Sequence, residues 1–447
     1  VNGGPAGGSL RASGGASEVA REGVSDGTSE GVSAGNEDGP LVAVLGANMG
    51  AGHLQVGREL ARRLAAHGVR TRLVDIGELL PRGWGRSLTG LYKFMACRAQ
   101  WLYELTFSAQ MRTPPGSTPF LFPLDALAQR RLAALVERER PALVLSTFHL
   151  SSQVAGRMRS SGLLEVPVAS LVLDFFVHGM WVHGGVDAHL LLHSSQVPQV
   201  RERGGKAPLV CGPVVRPAFH AQSPSWGREE ARRTLGLAPE ERCVVVAGGS
   251  WGVGELAETF RTLAAGSRVV PVAVAGHNPR LFASLEDARR EVGRGKVLGW
   301  VEDMDRLMAA ADVVVENAGG LTAMEAMARG APVVTYRPIA GHGRANALAM
   351  AEAGVSAYPR DARELVSCVA ELAGDTPLRR RLVAEGLSMF STDPARLIAS
   401  WAQAGCLQVP HPQGPSGCPG SLSAPEAASQ ATSQATSRAA WRAWRPM

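Results

Sequence analysis

Val313-Val314-Val315-Glu316-Asn317-Ala318-Gly319-Gly320-Leu321-Thr322-Ala323-Met324-Glu325-Ala326 decides how this chain folds. An apolar strand feeds a turn of small residues that opens a helix. Free backbone N–H groups and the positive end of the helix dipole therefore point toward any bound phosphate. Thr322 begins the helix and Glu325 lies three residues on. That spacing fits a capping box, and it equally turns a carboxylate toward a ribose whose diphosphate rests on the glycines. Taken alone, the stretch also reads as a plain strand-to-helix turn.

A second glycine loop, far away in sequence, repeats the design. Leu41-Val42-Ala43-Val44-Leu45 is a buried-strand run, followed by Gly46-Ala47-Asn48-Met49-Gly50-Ala51-Gly52-His53 and a helix with Val56, Leu60 and Leu64 on one face. Strand-like segments near 41–45, 71–75, 142–146, 167–173, 188–192 and 208–211 alternate with helical stretches, and the rhythm returns near 242–247, 269–275, 296–299, 312–315, 332–336 and 355–358. This pattern predicts two α/β units with doubly wound parallel sheets and ligand loops at strand C-termini. Gly212-Pro213 through Pro224 is the expected hinge, because its prolines interrupt both periodicities. The expected organisation is a tail over 1–39, a first domain over 40–218, a second over 219–404, and a tail over 405–447. A cleft between two such domains is the natural ligand site.

Further motifs stand in order along the chain: Leu173-Asp174-Phe175-Phe176-Val177-His178-Gly179-Met180-Trp181-Val182-His183, Cys211-Gly212-Pro213-Val214-Val215-Arg216-Pro217, Gly248-Gly249-Ser250, Leu298-Gly299-Trp300-Val301, and Pro338 to Asn346. With the two glycine loops, they make residues 41–400 resemble the family 28-type glycosyltransferases of the GT-B fold, in particular processive diacylglycerol glucosyltransferases and monogalactosyldiacylglycerol synthases. The resemblance implies two Rossmann-like domains facing each other across a cleft. It places uracil near the Trp300-Val301 backbone, the diphosphate on Gly319-Gly320-Leu321-Thr322 beside Asn317, and the ribose on Glu325. Gly249 and Ser250 line the opposite side, and Gly50 and Gly52 belong to the acceptor-side loop. The family segment that reads Pro-Gly-Gln-Glu and ends in Asn is here Ala340-Gly341-His342-Gly343, ending in Asn346. The acidic side chain expected on the sugar hydroxyls is missing, and His342 or Arg344 is the candidate substitute. Ala318 stands where relatives have proline.

His53 ends the first loop at a helix N-terminus, where the dipole favours the neutral, proton-accepting imidazole; this makes it the candidate general base, or else a histidine that caps the turn. Asp174, just after a strand, either assists His53 or caps a helix. His178, His183, His189 and His193 lack the spacing of a zinc site. Asp303-Met304-Asp305 opens a helix, where acidic residues need no metal to explain them. No metal and no cofactor are expected.

The composition, 45% hydrophobic and 19% charged over 447 residues, is that of a globular chain. No apolar run reaches the length of a membrane span, and a secretory signal is not expected. Six scattered cysteines carry no CxxC pair. Residues 1–39, with 11 glycines, and 405–447 have too few large apolar side chains to fold, so both are expected to be disordered. The ending Trp441-Arg442-Ala443-Trp444-Arg445-Pro446 pairs aromatics with cations. Segment 82–122 holds 8 of the 24 aromatics, among Arg82, Arg86, Lys93 and Arg98. It reads either as a lipid-facing surface or as a helical insertion packed on the first domain, and the resemblance favours the first. The net charge of +6 is spread without a basic stripe, so nucleic acid is not an expected partner.

These expectations converge on an inverting transfer of a hexose from a UDP-sugar to diacylglycerol or a similar lipid, in the cytoplasm at the inner face of the membrane. Rival acceptors are a lipid-linked muramyl-pentapeptide and a secondary-metabolite aglycone. A UDP-sugar 2-epimerase or an inactive UDP-sugar-binding protein are rivals of another class.

Overall fold

The computed structural model describes residues 38–48, 51–81, 83–112, 122–222 and 226–407. Gly50, Arg82, Phe120, the terminal Trp441–Pro446 run and most of both expected tails lie outside the described residues.

The first half runs β1 (Leu41–Gly46), α1 (Ala51–Ala65), β2 (Arg70–Asp75), α2 (Trp84–Arg98), α3 (Gln100–Arg112), α4 (Phe122–Glu139), β3 (Leu143–Ser146), α5 (His149–Ser160), β4 (Val168–Leu171), β5 (Ala188–Leu191), α6 (Gln196–Glu202) and β6 (Pro208–Val210). The second runs α7 (Arg228–Thr234), β7 (Arg242–Ala247), α8 (Leu256–Gly266), β8 (Val269–Val274), α9 (Pro279–Val292), β9 (Lys296–Leu298), α10 (Met304–Ala310), β10 (Val313–Glu316), α11 (Leu321–Ala328), β11 (Val333–Thr335), α12 (His342–Glu352) and β12 (Ser356–Ala357). Three helices follow: α13 (Ala362–Ala373), α14 (Pro377–Ser388) and α15 (Pro394–Ala404). The strands form two parallel six-stranded sheets, ordered β2-β1-β3-β4-β5-β6 and β12-β11-β10-β7-β8-β9. Every strand falls within two residues of its expected place.

Unbroken apolar runs make these strands because helices cover both faces. All six residues of β1 are buried, with Val42 and Val44 on one core and Ala43 and Leu45 on the other. Each large side chain so buried contributes roughly 1.5–3 kcal/mol. On α1, Val56, Leu60 and Leu64 are the buried stripe that the 3.6-residue period predicts.

Strand order fixes where ligands can sit. In the first sheet the order reverses between β1 and β3, and in the second between β7 and β10. Open α/β sheets leave a crevice at that reversal, outside the strand C-termini. The loops after β1 and β3 carry His53 and Thr147-Phe148-His149; the loops after β7 and β10 carry Gly248–Gly254 and Asn317–Gly320. Each glycine loop thus lies beside its sheet's crevice.

The chain crosses between the halves twice. After α14, Thr392 Oγ1 donates to the Cys211 carbonyl at 2.9 Å, and α15 then packs Ile398 and Trp401 into the same core as Val42, Leu60 and Leu64. Arg63 of α1 pairs with Asp393 at 3.0 Å. The last helix therefore belongs, by its packing, to the first sheet.

Candidate active site

His53 lies in the first turn of α1, half-buried. Its Nδ1 is 2.9 Å from the Thr147 carbonyl, and its ring meets Phe148 edge-on at 5.0 Å between centroids. A carbonyl accepts only, so Nδ1 carries the proton and Nε2 is left as the basic nitrogen. Burial lowers the His53 pKa, opposed by the Asp174 charge and by the Thr147 bond.

Asp174 sits in the loop after β4. Trp181 Nε1 donates to its Oδ2 at 2.9 Å, His178 Nε2 lies 3.6 Å from the same oxygen, and Asn346 Nδ2 donates to its Oδ1 at 3.1 Å. Burial pushes its pKa up, but the His178 bond, the neighbouring imidazoles and Asn346 outweigh it and hold the carboxyl well below its ordinary value. No hydrogen bond joins Asp174 to His53; the carboxylate acts on the imidazole through its field alone. Nor does it cap an α-helix: the only helical turn nearby is a single 3₁₀ turn, Gly179–Trp181, that begins after His178.

Of the histidines whose spacing fits no zinc site, only His178 lies against this carboxylate, and His149 packs beside it. His178 is buried with Nδ1 unpartnered. His149, at the start of α5, meets His178 edge-on at 5.1 Å and Phe148 at 4.3 Å, and burial followed by the His178 charge lowers its pKa far below the ordinary value. His183, His189 and His193 bond elsewhere, to Gly185 N, the Lys206 carbonyl and Ser195. Among the described residues no three metal-ligating side chains converge.

On the facing half, the loop after β10 is held from below. Glu316, buried, accepts from Ala318 N at 2.7 Å and Gly319 N at 2.6 Å, and Thr335 Oγ1 donates to its other oxygen at 2.5 Å. Gly319 N, expected for the phosphate, is thus already occupied, whereas the N–H groups of Gly320, Leu321 and Thr322 have no acceptor among the described residues. Gly319 has φ +65° and an added Cβ would stand 2.7 Å from Asn346 Cβ, so only glycine fits. Gly320 is the N-cap of α11 with no side-chain cap bond, so Thr322 and Glu325 do not form a capping box. Glu325 is buried, its pKa pushed up to about 8 by burial, with the Arg216 charge opposing.

Asn317 donates to the Val253 carbonyl at 2.7 Å while its buried Oδ1 is unpartnered. Gly249, at φ +68°, and Ser250 shape the loop after β7, where the Ser250 carbonyl accepts from His277 N. Val301 is buried, and the Trp300 indole stacks on the His277 ring at 3.9 Å. His342 and Arg344, the candidate substitutes for the missing acid, are both engaged from the other half: Tyr103 Oη lies 2.5 Å from His342 Nδ1, and Arg344 lies 3.7 Å from Glu104.

The N-terminal turns of α1 and α11 approach each other. A Cβ added to Gly52 would stand 3.7 Å from Leu321 Cβ. Asn346 spans the same gap, since beyond Asp174 it reaches the Ala318 carbonyl at 3.4 Å and accepts from Phe176 N at 2.8 Å. One compact region therefore holds a neutral imidazole, an ionised carboxylate and a row of free amides at a helix N-terminus. It can take a proton on one side and stabilise an anion on the other. Sequence reasoning missed Glu316, Thr147, His149 and the Tyr92–Tyr103 pair. Only Glu316 had a local signal, a carboxylate at the end of an apolar strand facing a glycine turn.

Residues 53–213 match the family model of monogalactosyldiacylglycerol (MGDG) synthase, and residues 243–375 match that of glycosyl transferases group 1. The processive diacylglycerol beta-glucosyltransferase of Bacillus subtilis (strain 168) is 26% identical over 357 residues, covering 76% of this chain and 89% of the relative. That of Bacillus licheniformis is 25% identical over 350 residues, covering 75% and 87%. Among solved structures, MurG of Acinetobacter baumannii superposes with a TM-score of 0.53 at 16% identity, covering 82% of this chain and 99% of that one. TcCGT1 in complex with UDP gives 0.54 at 15% identity, covering 82% and 100%. At these identities the two structures speak for the fold.

Proposed function

The chain is a glycosyltransferase of the GT-B fold whose first half is of the MGDG-synthase type, and from that premise we propose that it moves a hexose from a UDP-sugar to the hydroxyl of diacylglycerol or a similar lipid, inverting the anomeric carbon. Residues 40–218 serve as the acceptor half, completed by α15, and 219–393 as the donor half. The observation that supports this reading is the approach of Gly52, the neighbour of His53, to Leu321 at the start of α11, where an added Cβ would stand 3.7 Å from Leu321 Cβ. His53 Nε2 takes the acceptor proton as the acceptor oxygen attacks the anomeric carbon. The bond to UDP breaks, and its electron pair leaves on the diphosphate, which the Gly320, Leu321 and Thr322 amides and the α11 dipole stabilise. Asp174 keeps the imidazole more basic than burial alone would leave it, and Glu325 faces the ribose.

The α2–α3 hairpin supplies the lipid contact. Trp84, Leu91, Phe94, Trp101 and Leu105 are exposed large apolar side chains, and Arg86 and Arg98 of the same hairpin are exposed too. Aromatic and cationic side chains on one surface suit an anionic bilayer interface. Among the described residues no helix is long and apolar enough to cross a membrane, so the contact proposed is peripheral, at the inner face.

Incubation with radiolabelled UDP-glucose, UDP-galactose and UDP-N-acetylglucosamine and mixed lipid acceptors tests the reading. Label is expected on diacylglycerol. Label confined to a lipid-linked muramyl-pentapeptide or to an aglycone would overturn the acceptor, and no transfer from any donor would overturn the reaction.

A further inference from the structure

The α2–α3 hairpin belongs to the acceptor half, yet its inner face is bonded to the donor half. Tyr103 Oη, 2.5 Å from His342 Nδ1, is also 2.9 Å from Tyr92 Oη. The adjacent Glu104 accepts from Gly341 N at 2.6 Å and lies 3.7 Å from Arg344. Tyr92 meets Trp251 edge-on at 6.1 Å, and Lys93 sits over the same indole at 5.8 Å. Gly341 holds φ +70° and packs so closely that an added Cβ would stand 3.0 Å from Phe107 Cγ. Two donor-side segments, the loop 248–254 and the turn 338–341 with the first turn of α12, are therefore gripped by the helices that expose Trp84, Phe94 and Trp101.

The grip is directional. Burial raises the hydroxyl pKa of Tyr103 well above its ordinary value, so the group stays an O–H donor. Its bond with His342 Nδ1 fixes the orientation of the imidazole ring in either tautomer, and its bond with Tyr92 holds the hydroxyl in place. Glu104 does the same for the backbone at Gly341, where φ is positive and the chain is otherwise free to turn.

Resting on the lipid-docking reading above, we propose that Tyr103 and Glu104 are positioning residues for the donor-side turn 338–341 and the start of α12, and that through them lipid docking and donor binding strengthen one another. A surface that holds the hairpin still also holds the turn, so donor meets a turn already placed; linkage then requires donor to tighten lipid binding by the same factor.

The test uses the full chain and vesicles of phosphatidylglycerol and phosphatidylcholine without diacylglycerol, so that no turnover occurs. Vesicle binding is measured by sedimentation with and without UDP-glucose or UDP-galactose. Donor affinity is measured by calorimetry with and without vesicles. Each ligand is expected to tighten the other several-fold and by an equal factor. In Tyr103→Phe and Glu104→Ala the factor falls toward one while vesicle binding without donor is unchanged, and donor KM rises more than kcat falls. Wild-type protein that binds both ligands with no mutual effect overturns the coupling, and variants that keep the wild-type factor remove these residues from it. Absence of vesicle binding overturns the docking reading and the coupling together. In that case donor KM, measured with a short-chain acceptor in detergent, still decides whether Tyr103 and Glu104 position the turn.

Discussion

His53 has one ring nitrogen committed to the Thr147 carbonyl and the other free to accept a proton. His53→Ala is expected to lower turnover roughly 10²–10⁴-fold with UDP affinity nearly unchanged, because a base acts on the acceptor proton and hardly on bound donor. The neutral form does the work, and burial lowers its pKa. The acid limb of the kcat/KM profile therefore lies below pH 6.5, the ordinary histidine value. Asp174→Asn removes the charge that opposes this and should move the limb lower still; a limb that moves upward would remove the carboxylate from that role. Glu325 behaves in the opposite sense. Its folded pKa of about 8 lies above the unfolded value, so burial of this carboxyl costs stability progressively as pH rises through that interval. Glu325→Gln should raise Tm more at pH 8 than at pH 5, while weakening UDP binding, as calorimetry and thermal melts across pH would show. A variant whose Tm gain is the same at both pH values would leave no role for Glu325 ionisation. The sequence made His53, Asp174 and Glu325 visible through their places at strand and helix ends. It hid Thr147 and Tyr103, because their contacts join residues about a hundred positions apart or more, and no local period records such pairs.

Helices α2 and α3 show where composition stops being informative. Eight aromatics in 82–122 fit either a lipid surface or a packed insertion, and the helices do both: Tyr103 and Phe107 are buried while Trp84, Phe94 and Trp101 are exposed. Which aromatic turns inward depends on the donor-half loops that α3 meets, and those lie over 200 residues away in sequence. Trp84→Ala with Trp101→Ala is expected to reduce sedimentation with anionic vesicles and leave the melting profile unchanged; equal sedimentation would end the docking reading for these two side chains. Gly341→Ala probes the inner side. A Cβ there is strained at φ +70° and presses on Phe107, so destabilisation of about 1–3 kcal/mol is expected, with a raised donor KM. The central strands, by contrast, were legible almost to the residue, because buried apolar runs such as those of β1 and β10 between helical patterns have few other solutions.

Across the whole molecule, histidines buried in the neutral form set the acid limit. Burial pushes His189 down to about 4, and lowers His53, His149, His183 and His342 as well. Between pH 6.5 and 4 the unfolded chain binds protons that the folded chain refuses, so stability falls with pH; His189 alone accounts for about 3 kcal/mol by pH 4. Above pH 6.5 the Glu325 effect runs the other way, and denaturant titrations should find greatest stability near pH 6.5. The two-domain plan could be foreseen, since each half carries its own strand rhythm and glycine loop. The return of α15 to the first sheet could not, since an amphipathic helix does not name the surface it covers. That return bears on how the protein is made. Residues 41–210 leave the ribosome before Ile398, Trp401 and their neighbours, which complete the core around Val42, Leu60 and Leu64. At ordinary elongation rates that helix follows roughly 10–40 s later. Throughout that interval the nascent chain exposes a surface of the kind that holding chaperones bind, and the acceptor half reaches its final form only once α15 has emerged.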